Sequence, residues 1–130
     1  MVKISVKTPT REILVDITKE VQKAVHAVGF QEGICTLYTP HTTAALLIQE
    51  NADPSVGRDL VAQLSRLFPQ QARYEHDDGN ADAHMKASLI GASTQLFVEG
   101  GTLCLGTWQG IFLAEFDGPR TRQVWIKFQG

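Results

Sequence analysis

Long hydrophobic runs are missing from this 130-residue sequence. A membrane-spanning helix needs about 18 consecutive apolar residues, and no stretch approaches that length. The opening residues MVKISVKTPT also lack the apolar segment of a secretory signal peptide. These absences predict a cytoplasmic protein with no membrane partner.

Cysteine is scarce, since the sequence has only Cys35 and Cys104. The two are not arranged as C-x-x-C, which gives little support to a redox pair or a zinc knuckle. Each lies in an apolar, strand-like stretch, GICTLY for the first and TLCLG for the second. We therefore predict two buried free thiols in a reducing compartment.

Neither sign of charge is in large excess, because 12 Lys and Arg residues face 14 Asp and Glu residues. No basic stripe with interleaved aromatic residues is present, so nucleic acid is not expected as a partner. Charged residues make up 20% and apolar residues 43% of the chain, as in ordinary globular proteins. The length favours a single domain over residues 1–130, and no repeat or linker divides it.

Hydrophobic periodicity predicts the elements of the first half of the chain. Residues 2–6 alternate apolar and polar side chains, which indicates a half-buried strand, and REILVDI at 11–17 is predicted to be its hairpin partner. The period then changes to three or four residues, which predicts a helix over 17–28 that ends at Gly29. Two further strands are predicted at 33–39 and 44–50.

The second half is predicted to hold two helices followed by strands. Asp53 and Pro54 have the form of a helix start, and the apolar stripe after them ends at Pro69. A third helix is predicted from Asn80 to Gly91. The stretches LFV, TLCLG, GIFLAEF and RQVWIKF then return to strand periodicity and are predicted to form a β meander. The whole pattern predicts an α+β fold, mostly antiparallel sheets with about three helices.

Polar residues with chemical potential concentrate first in TPHTTAALLIQEN. His41 stands at a strand boundary, where it could act as a base, a proton donor or a metal ligand. Thr42 and Thr43 could hold phosphate oxygens. Glu50 and Asn51 close the strand that follows. A lone histidine in a turn is more often plain polar surface, so this stretch alone decides nothing.

The second concentration is YEHDDGNADAH. If Asn80 starts a helix, His84 lies in its first turns and His76 in the loop before it, so both imidazoles could face one pocket. A solvated loop is the competing interpretation. The stretch also has three acids that could hold Mg²⁺ or could simply be hydrated: Asp77, Asp78 and Asp82.

The third concentration is LGTWQGIFLAEFDGPR. Trp108 is predicted to be core, although its ring could also stack on a heterocycle. Glu115 follows IFLA, so we expect it to point inward or to be paired. Asp117 is sufficiently explained as turn chemistry. Arg120 and Arg122 could clamp a phosphate.

Three segments together carry a resemblance: PHTTAALLIQENADPSV, HDDGNADAHMKASLIG and GTLCLGTWQGIFLAEFDGPRTR, in that order across residues 40–122. With their motifs H-T-T-A, E-N, H-x₃-N-x₃-H and L-G-T-W-Q, they resemble the YjbQ family of small bacterial and archaeal proteins. The resemblance implies an α+β domain that assembles as a homotrimer. It also implies that His41, His76 and His84 form a shared polar site.

The family has been associated with a secondary thiamine-phosphate synthase activity, which joins hydroxymethylpyrimidine diphosphate to thiazole phosphate and releases pyrophosphate. The resemblance thus implies an enzyme acting on small phosphorylated metabolites. Lys86, Arg122 and protonated histidines could help to hold the leaving pyrophosphate. Asn80 and Gln109 could orient the histidines. The remaining expected substrate-binding residues are Thr42, Thr43, Glu50, Asn51, Trp108, Glu115 and Arg120.

The role of a metal stays open. Three neutral imidazoles with one open position would resemble a catalytic zinc site. A Mg²⁺ held by an acid and the diphosphate would also suit the reaction. The histidines could instead be plain acid/base groups without metal. A non-enzymatic trimer that binds a metal or a phosphorylated metabolite is the alternative function.

Overall fold

The structure is a computed structural model that describes residues 1–130. Eleven elements follow one another along the chain: β1 (Val2–Lys7), β2 (Ile13–Asp16), α1 (Thr18–Val28), β3 (Gly33–Tyr38), β4 (Ala44–Glu50), α2 (Pro54–Leu67), α3 (Ala81–Ile90), β5 (Ser93–Glu99), β6 (Thr102–Leu103), β7 (Gln109–Glu115) and β8 (Thr121–Gln129). The strands form a five-stranded sheet in the order β1-β8-β3-β5-β6 and a three-stranded sheet in the order β2-β7-β4. Every pairing is antiparallel. The α+β prediction with three helices is confirmed.

The predicted hairpin between β1 and β2 is wrong. β1 pairs with β8 in the larger sheet, and β2 pairs with β7 in the smaller one. The chain crosses between the sheets after Thr8, whose backbone N–H donates to the Arg120 carbonyl at 2.8 Å. Pro9, which follows, has no N–H to donate to a ladder. Alternation along a strand identifies its buried face but does not identify its neighbour, so periodicity could not exclude a hairpin.

The predicted C-terminal meander is also wrong. β6 pairs with β5, but β7 enters the smaller sheet between β2 and β4, and β8 returns to the larger sheet between β1 and β3. β7 is buried on both faces from Gly110 to Glu115. A continuous apolar run such as GIFLA is what a central strand with both faces covered requires.

Two apolar clusters fill the space between the layers. The larger cluster lies between the sheets and against α1, and includes Val25, Leu46, Leu113 and Ile126. The smaller cluster joins the outer face of the smaller sheet to α2 and α3, through residues such as Ala83 and Phe116. No helix has the length and apolar content needed to cross a membrane.

The two cysteines differ. Cys35 is buried as predicted, and burial raises the pKa of its thiol to about 11, which makes it a poor nucleophile. Cys104 is exposed, so its predicted burial is wrong. Its neighbours Leu103 and Leu105 pack against the core, so the alternation of side chains along this extended stretch turns Cys104 outward.

Helix boundaries agree with the predicted signals. Gly29 ends α1 in the left-handed conformation, with φ of 69°. Asp53 caps α2 by accepting from the Ser55 N–H, and Pro54 occupies the first turn. α3 begins after Asn80 and ends at Gly91, but the Asn80 side chain makes no capping hydrogen bond. The Asn80 side chain instead forms hydrogen bonds with Asp117 and His76.

A buried ion pair connects the two sheets. Glu115 at the end of β7 and Arg122 in β8 are 0% and 3% exposed, and Arg122 Nε donates to Glu115 Oε1 at 2.9 Å while its Nη2 donates to Oε2. Thr8 Oγ1 donates to the same carboxylate at 2.7 Å. Burial alone would raise the pKa of Glu115, but the hydrogen bonds from Arg122 and Thr8 keep it below its ordinary value. The expectation that Glu115 points inward and is paired is confirmed.

Breaking this pair on one side should be strongly destabilising. Glu115→Ala leaves the Arg122 charge buried without its carboxylate, so we expect the free energy of unfolding to fall by about 3–5 kcal/mol, measured by urea denaturation. The matched control is the double variant Glu115→Leu with Arg122→Met, which should recover most of that loss because no unpaired charge remains. A loss below about 1 kcal/mol in the single variant would contradict the role given to the pair.

Candidate functional site

His76 and His84 lie against each other at the start of α3. Their ring centroids are 5.0 Å apart and the ring planes meet at 84°, an edge-to-face contact. His84 belongs to the first turn of α3, and His76 belongs to the loop before it. The predicted convergence of these two side chains on one place is therefore observed. The ring nitrogens of His84 make no hydrogen bond within the chain.

Asn80 fixes the hydrogen position on His76. Its Nδ2 donates to Asp117 Oδ2 at 2.8 Å, and a carboxylate can only accept, so the amide oxygen must face His76. That oxygen lies 2.9 Å from His76 Nε2, which must therefore carry the hydrogen. In neutral His76 the lone pair is left on Nδ1. His76 can thus act as a base, an acceptor or a ligand through Nδ1.

Arg120 places a cation beside this network. Its Nε donates to the Asp117 carbonyl at 2.7 Å and its Nη2 donates to Asp117 Oδ2 at 3.0 Å. The guanidinium is exposed, and Nη1 makes no hydrogen bond within the chain. A guanidinium held in one orientation with free donors suits a phosphate group.

His41 has the opposite hydrogen position. Its Nε2 accepts from the Gln123 backbone N–H at 2.9 Å, so neutral His41 carries its hydrogen on Nδ1. Burial lowers the pKa of His41, and the positive charges of Arg122 and Arg120 lower it further, against the opposing charge of Glu115. Protonation would also place a second N–H against that of Gln123. His41 is therefore a neutral donor at neutral pH.

The chain does not bring the three histidines together as a ligand set. No group of three or more His, Cys, Asp or Glu side chains is arranged to hold a metal ion. His76 and His84 contact each other. His41 is related to them only indirectly: the charge of Arg120 acts on His41, and Arg120 is joined to His76 through Asp117 and Asn80. A three-histidine metal site within one chain is therefore not formed.

Two charged residues suggested for ligand binding serve the fold instead. Asp82 is buried and accepts from Lys86 Nζ at 2.7 Å and from both terminal nitrogens of Arg11. Lys86 is also buried and donates to Glu12. Asp82 cannot serve as a cation ligand and Lys86 cannot reach a phosphate, because both charges are used in internal ion pairs. Those two interpretations are wrong.

Other expected binding residues are also engaged inside the protein. Arg122 and Glu115 form the buried pair, and Thr43 Oγ1 accepts from Arg122 Nη2 at 2.8 Å. All three are buried, so none of them can contact a ligand directly. Their expected role in binding is wrong, and they support the site from within the protein instead. Thr42 is exposed, as are Asp77 and Asp78, and Asp78 Oδ2 lies 3.5 Å from His76 Nε2.

The remaining expected residues lie at the other end of the smaller sheet. We call the end at Ala44 and Glu115 the histidine end, and the end at Glu50 and Gln109 the opposite end. β4 has seven residues, so the two ends are about 20 Å apart at roughly 3.4 Å per residue. Glu50, Asn51, Trp108 and Gln109 all lie at the opposite end, away from the histidines.

At the opposite end, two interpretations fail within one chain. Trp108 is 62% exposed, so its predicted place in the core is wrong, because it lies in the turn before β7 becomes buried. Gln109 Oε1 accepts from the Gly106 N–H at 2.8 Å and cannot orient a histidine of the same chain. Asn51 Nδ2 donates to Asp16 Oδ2 at 3.1 Å.

Asp117 and Gln123 were missed by the sequence reasoning. Asp117 links Asn80 to Arg120, but its place in a D-G-P turn was a sufficient explanation of it. Gln123 acts through its backbone N–H, which no side-chain motif reveals. A carboxylate close in sequence to both Glu115 and Arg120 was the available signal for Asp117.

The fold and the site together define a two-sheet α+β domain with imidazoles, a carboxylate and an exposed guanidinium at one end of its smaller sheet. The family model described as UPF0047 protein YjbQ-like matches residues 2–130. The chain belongs to this family, and the resemblance noted in the sequence is confirmed.

Several relatives and solved structures are similar to this chain over nearly its full length. A UPF0047 protein of Methanocaldococcus jannaschii is 48% identical over 128 residues, which cover 98% of this chain and 93% of that one. The UPF0047 protein YugU of Bacillus subtilis is 45% identical over 128 residues, which cover 98% of this chain and 97% of that one. The crystal structure of an uncharacterized conserved protein of the family from Clostridium acetobutylicum has a TM-score of 0.96 at 47% identity, covering 99% of this chain and 100% of that one. A conserved hypothetical protein from Thermus thermophilus has a TM-score of 0.94 at 43% identity, with the same coverage.

The lowered pKa of His41 predicts a pH-dependent stability. The unfolded chain binds a proton at His41 near pH 6.5, whereas the folded chain binds it only at lower pH. Between the two pKa values the unfolded state holds more protons, so the free energy of unfolding should fall as the pH drops below about 6.5. The carboxyls of Asp82 and Glu115 have lowered pKa values and lose their contributions at more acidic pH.

The measurement is urea denaturation of the wild type and of His41→Gln between about pH 5 and pH 8. Glutamine keeps an oxygen that can accept from the Gln123 N–H but does not titrate. The variant should have a flatter dependence on pH than the wild type below about pH 6.5. Parallel curves across this window would contradict a lowered pKa at His41.

Proposed function

We propose that this protein is an enzyme that joins two phosphorylated heterocycles with loss of pyrophosphate. The named case is the synthesis of thiamine phosphate from hydroxymethylpyrimidine diphosphate and thiazole phosphate. One observation carries the proposal: Asp117 holds the exposed Arg120 guanidinium and also binds the Asn80 that fixes His76, while the positive charge of Arg120 acts on His41, the Nδ1–H donor. Such an arrangement suits a substrate with an anionic leaving group and a polar ring.

The proposed roles follow from the chemistry of the step. The carbon–oxygen bond to the diphosphate breaks while the thiazole nitrogen bonds to the same carbon, so negative charge develops on the leaving oxygen. Arg120 and the Nδ1–H of His41 would stabilise that charge. His76 Nδ1 would accept a hydrogen bond from the amino group of the pyrimidine. His84 packs on His76 and would restrict its ring orientation.

A metal enters the proposal in a limited way. A catalytic zinc site uses three protein ligands, and one chain offers only the adjacent imidazoles of His76 and His84. The histidine end therefore does not fit a zinc ion without a ligand from another copy or from the substrate. A Mg²⁺ bound by the diphosphate itself would add charge neutralisation without needing a protein cage.

The proposal includes a homotrimer in which the opposite end of one copy lies near the histidine end of the next. Its support is apolar surface exposed at both ends. Leu89 and Met85 lie on α3 with His84 and are 60% and 42% exposed, and Trp108 is exposed at the opposite end. Met85 and Leu89 are one helical turn apart and form a small apolar patch, and exposed apolar patches mark interaction surfaces. This arrangement would return Trp108 and Gln109 to a site from which they are absent within one chain.

The first test is turnover of the two thiamine precursors with Mg²⁺. His84→Ala should lower the rate by about 10²-fold, since the His76 imidazole would lose the contact that orients it and a misplaced group can cost that much, while the melting temperature stays close to wild type. His26→Ala is the matched control, because His26 is an exposed histidine on α1 and should leave the rate unchanged. Unchanged turnover in the His84 variant would remove the histidines from the reaction.

Elemental analysis of tag-free protein distinguishes the alternative function. About one zinc per chain, lost in His84→Ala, together with no turnover, would favour a trimeric metal-binding protein. Active protein without a transition metal would exclude the zinc alternative. Tight binding of a phosphorylated metabolite without turnover would leave a binding protein as the function.

A second prediction tests whether two copies share the site. His84→Ala and Gln109→Ala should each be poorly active alone. Mixed trimers assembled from equal amounts of both should recover about a quarter of the wild-type activity, because in a closed ring one site in four then combines two intact halves. The mixture of His84→Ala with His76→Ala is the control, and it should recover nothing since both changes affect the same end. No recovery in the first mixture would contradict a shared site.

A further inference from the structure

A groove of about 560 Å³ lies between α2 and the outer face of the smaller sheet. This volume is within the range of small-molecule sites. Leu14 and Phe112 from the sheet and Val61 and Ala62 from α2 contribute apolar lining. Glu50 and Asn51 also line it, so two residues expected to bind substrate belong to this groove and not to the histidine end.

The sequence of α2 keeps the groove open. Leu64 is the only buried residue of this 14-residue helix, so α2 covers the sheet less completely than a fully packed helix would. Gly57 lines the groove from within the helix, where glycine is less favourable than alanine by roughly 1 kcal/mol. A Cβ at Gly57 would meet Leu14 Cδ1 at 3.5 Å, an ordinary contact, so packing does not require glycine there. A larger side chain at this position would extend into the groove.

Carboxylates surround the apolar lining. Glu12, Asp16, Glu50 and Asp53 line the groove, and Arg58 is the only basic residue among its lining residues. Glu12 is neutralised by Lys86, but the carboxylate of Glu50 has no hydrogen-bond donor within the chain. Burial alone would raise the pKa of Asp16, but hydrogen bonds from Thr18 and Asn51 keep it below the ordinary value. The groove is therefore negatively charged at neutral pH.

From the apolar lining of this half-open groove and its acidic residues, we infer that the groove binds a small organic cation with an apolar body, such as an amine on an aromatic group. The lining would remove the apolar body from water, and Glu50 and Asp16 would face the positive charge. An anion such as a phosphate is disfavoured by the same carboxylates. The groove opens toward the opposite end, so in the proposed trimer it would lie near the histidine end of the next copy. Its lining comes from one chain alone, and its ligand differs in charge from the ligand proposed for the histidines.

Titration with three probes of similar shape tests the inference. Phenethylamine is the cation, 2-phenylethanol is neutral and 3-phenylpropionate is the anion, and binding is followed by amide chemical shifts of the full-length protein. We expect saturable shifts at Leu14, Gly57 and Phe112 with the amine, weaker binding of the alcohol and no binding of the acid. The amine should bind less tightly at high salt, because exposed charges are screened. Equal binding of all three probes, or no saturable shifts with the amine, would overturn the inference.

Variants locate the amine and separate shape from charge. Gly57→Leu should abolish binding by filling the groove. Gly57→Ala, which helix propensity favours, should raise the melting temperature and weaken binding, so the test survives if the leucine variant does not fold. Glu50→Gln should weaken amine binding by about two- to fivefold and leave binding of the alcohol unaffected.

His84→Ala is the matched control and should bind the amine as wild type does. Loss of amine binding in His84→Ala with retention in Gly57→Leu would place the amine at the histidine end and overturn the assignment.

Discussion

The ion pair between Glu115 and Arg122 connects the end of β7 in one sheet to the start of β8 in the other, and the histidine end is built around it. Glu115 Oε2 accepts from the Asp117 N–H at 3.0 Å, which holds the turn that presents Asp117 to Asn80 and Arg120. Arg122 binds Thr43, just after His41 in the chain, and its charge lowers the pKa of His41. One buried interaction thus positions both polar arms of the site, and its arginine adds to the effect of burial in keeping His41 neutral.

The two ends of the smaller sheet leave different polar groups free. At the histidine end the carboxylates of Glu115, Asp117 and Asp82 are paired with cations, and Arg120, although paired with Asp117, keeps Nη1 free as a donor to a ligand. In the groove under α2 the carboxylates of Glu50 and Asp16 have no cationic partner within the chain. A formal net charge of −2 for the whole chain conceals this division. Local pairing, not composition, decides which charge each surface offers.

Local signals predicted the elements better than their partners. Gly29, Asp53 and Pro54 act within a few residues of themselves, so the helix ends they mark could be predicted. The partners of β1 and β7 are set by contacts with distant strands, and a period of two is the same whichever neighbour is chosen. Trp108 was misplaced for a related reason, since an aromatic residue beside an apolar run can lie just before the strand becomes buried.

At the site, spacing predicted the contact between His76 and His84 because both side chains are positioned by one local event, the start of α3 after Asn80. Hydrogen positions could not be predicted, since they depend on Asp117 and on a backbone N–H of β8. A motif groups polar residues by position in the chain, yet folding uses many of them: Thr43, Asp82, Lys86, Glu115 and Arg122 are all engaged inside the protein. The side-chain atoms of the site left uncommitted are Nδ1 of His41, Nδ1 of His76, both ring nitrogens of His84 and Nη1 of Arg120. A reactive site consists of the polar groups that are not bonded to other groups inside the protein. The geometry is therefore needed to distinguish the polar groups that stabilise the fold from those that are free to bind a ligand.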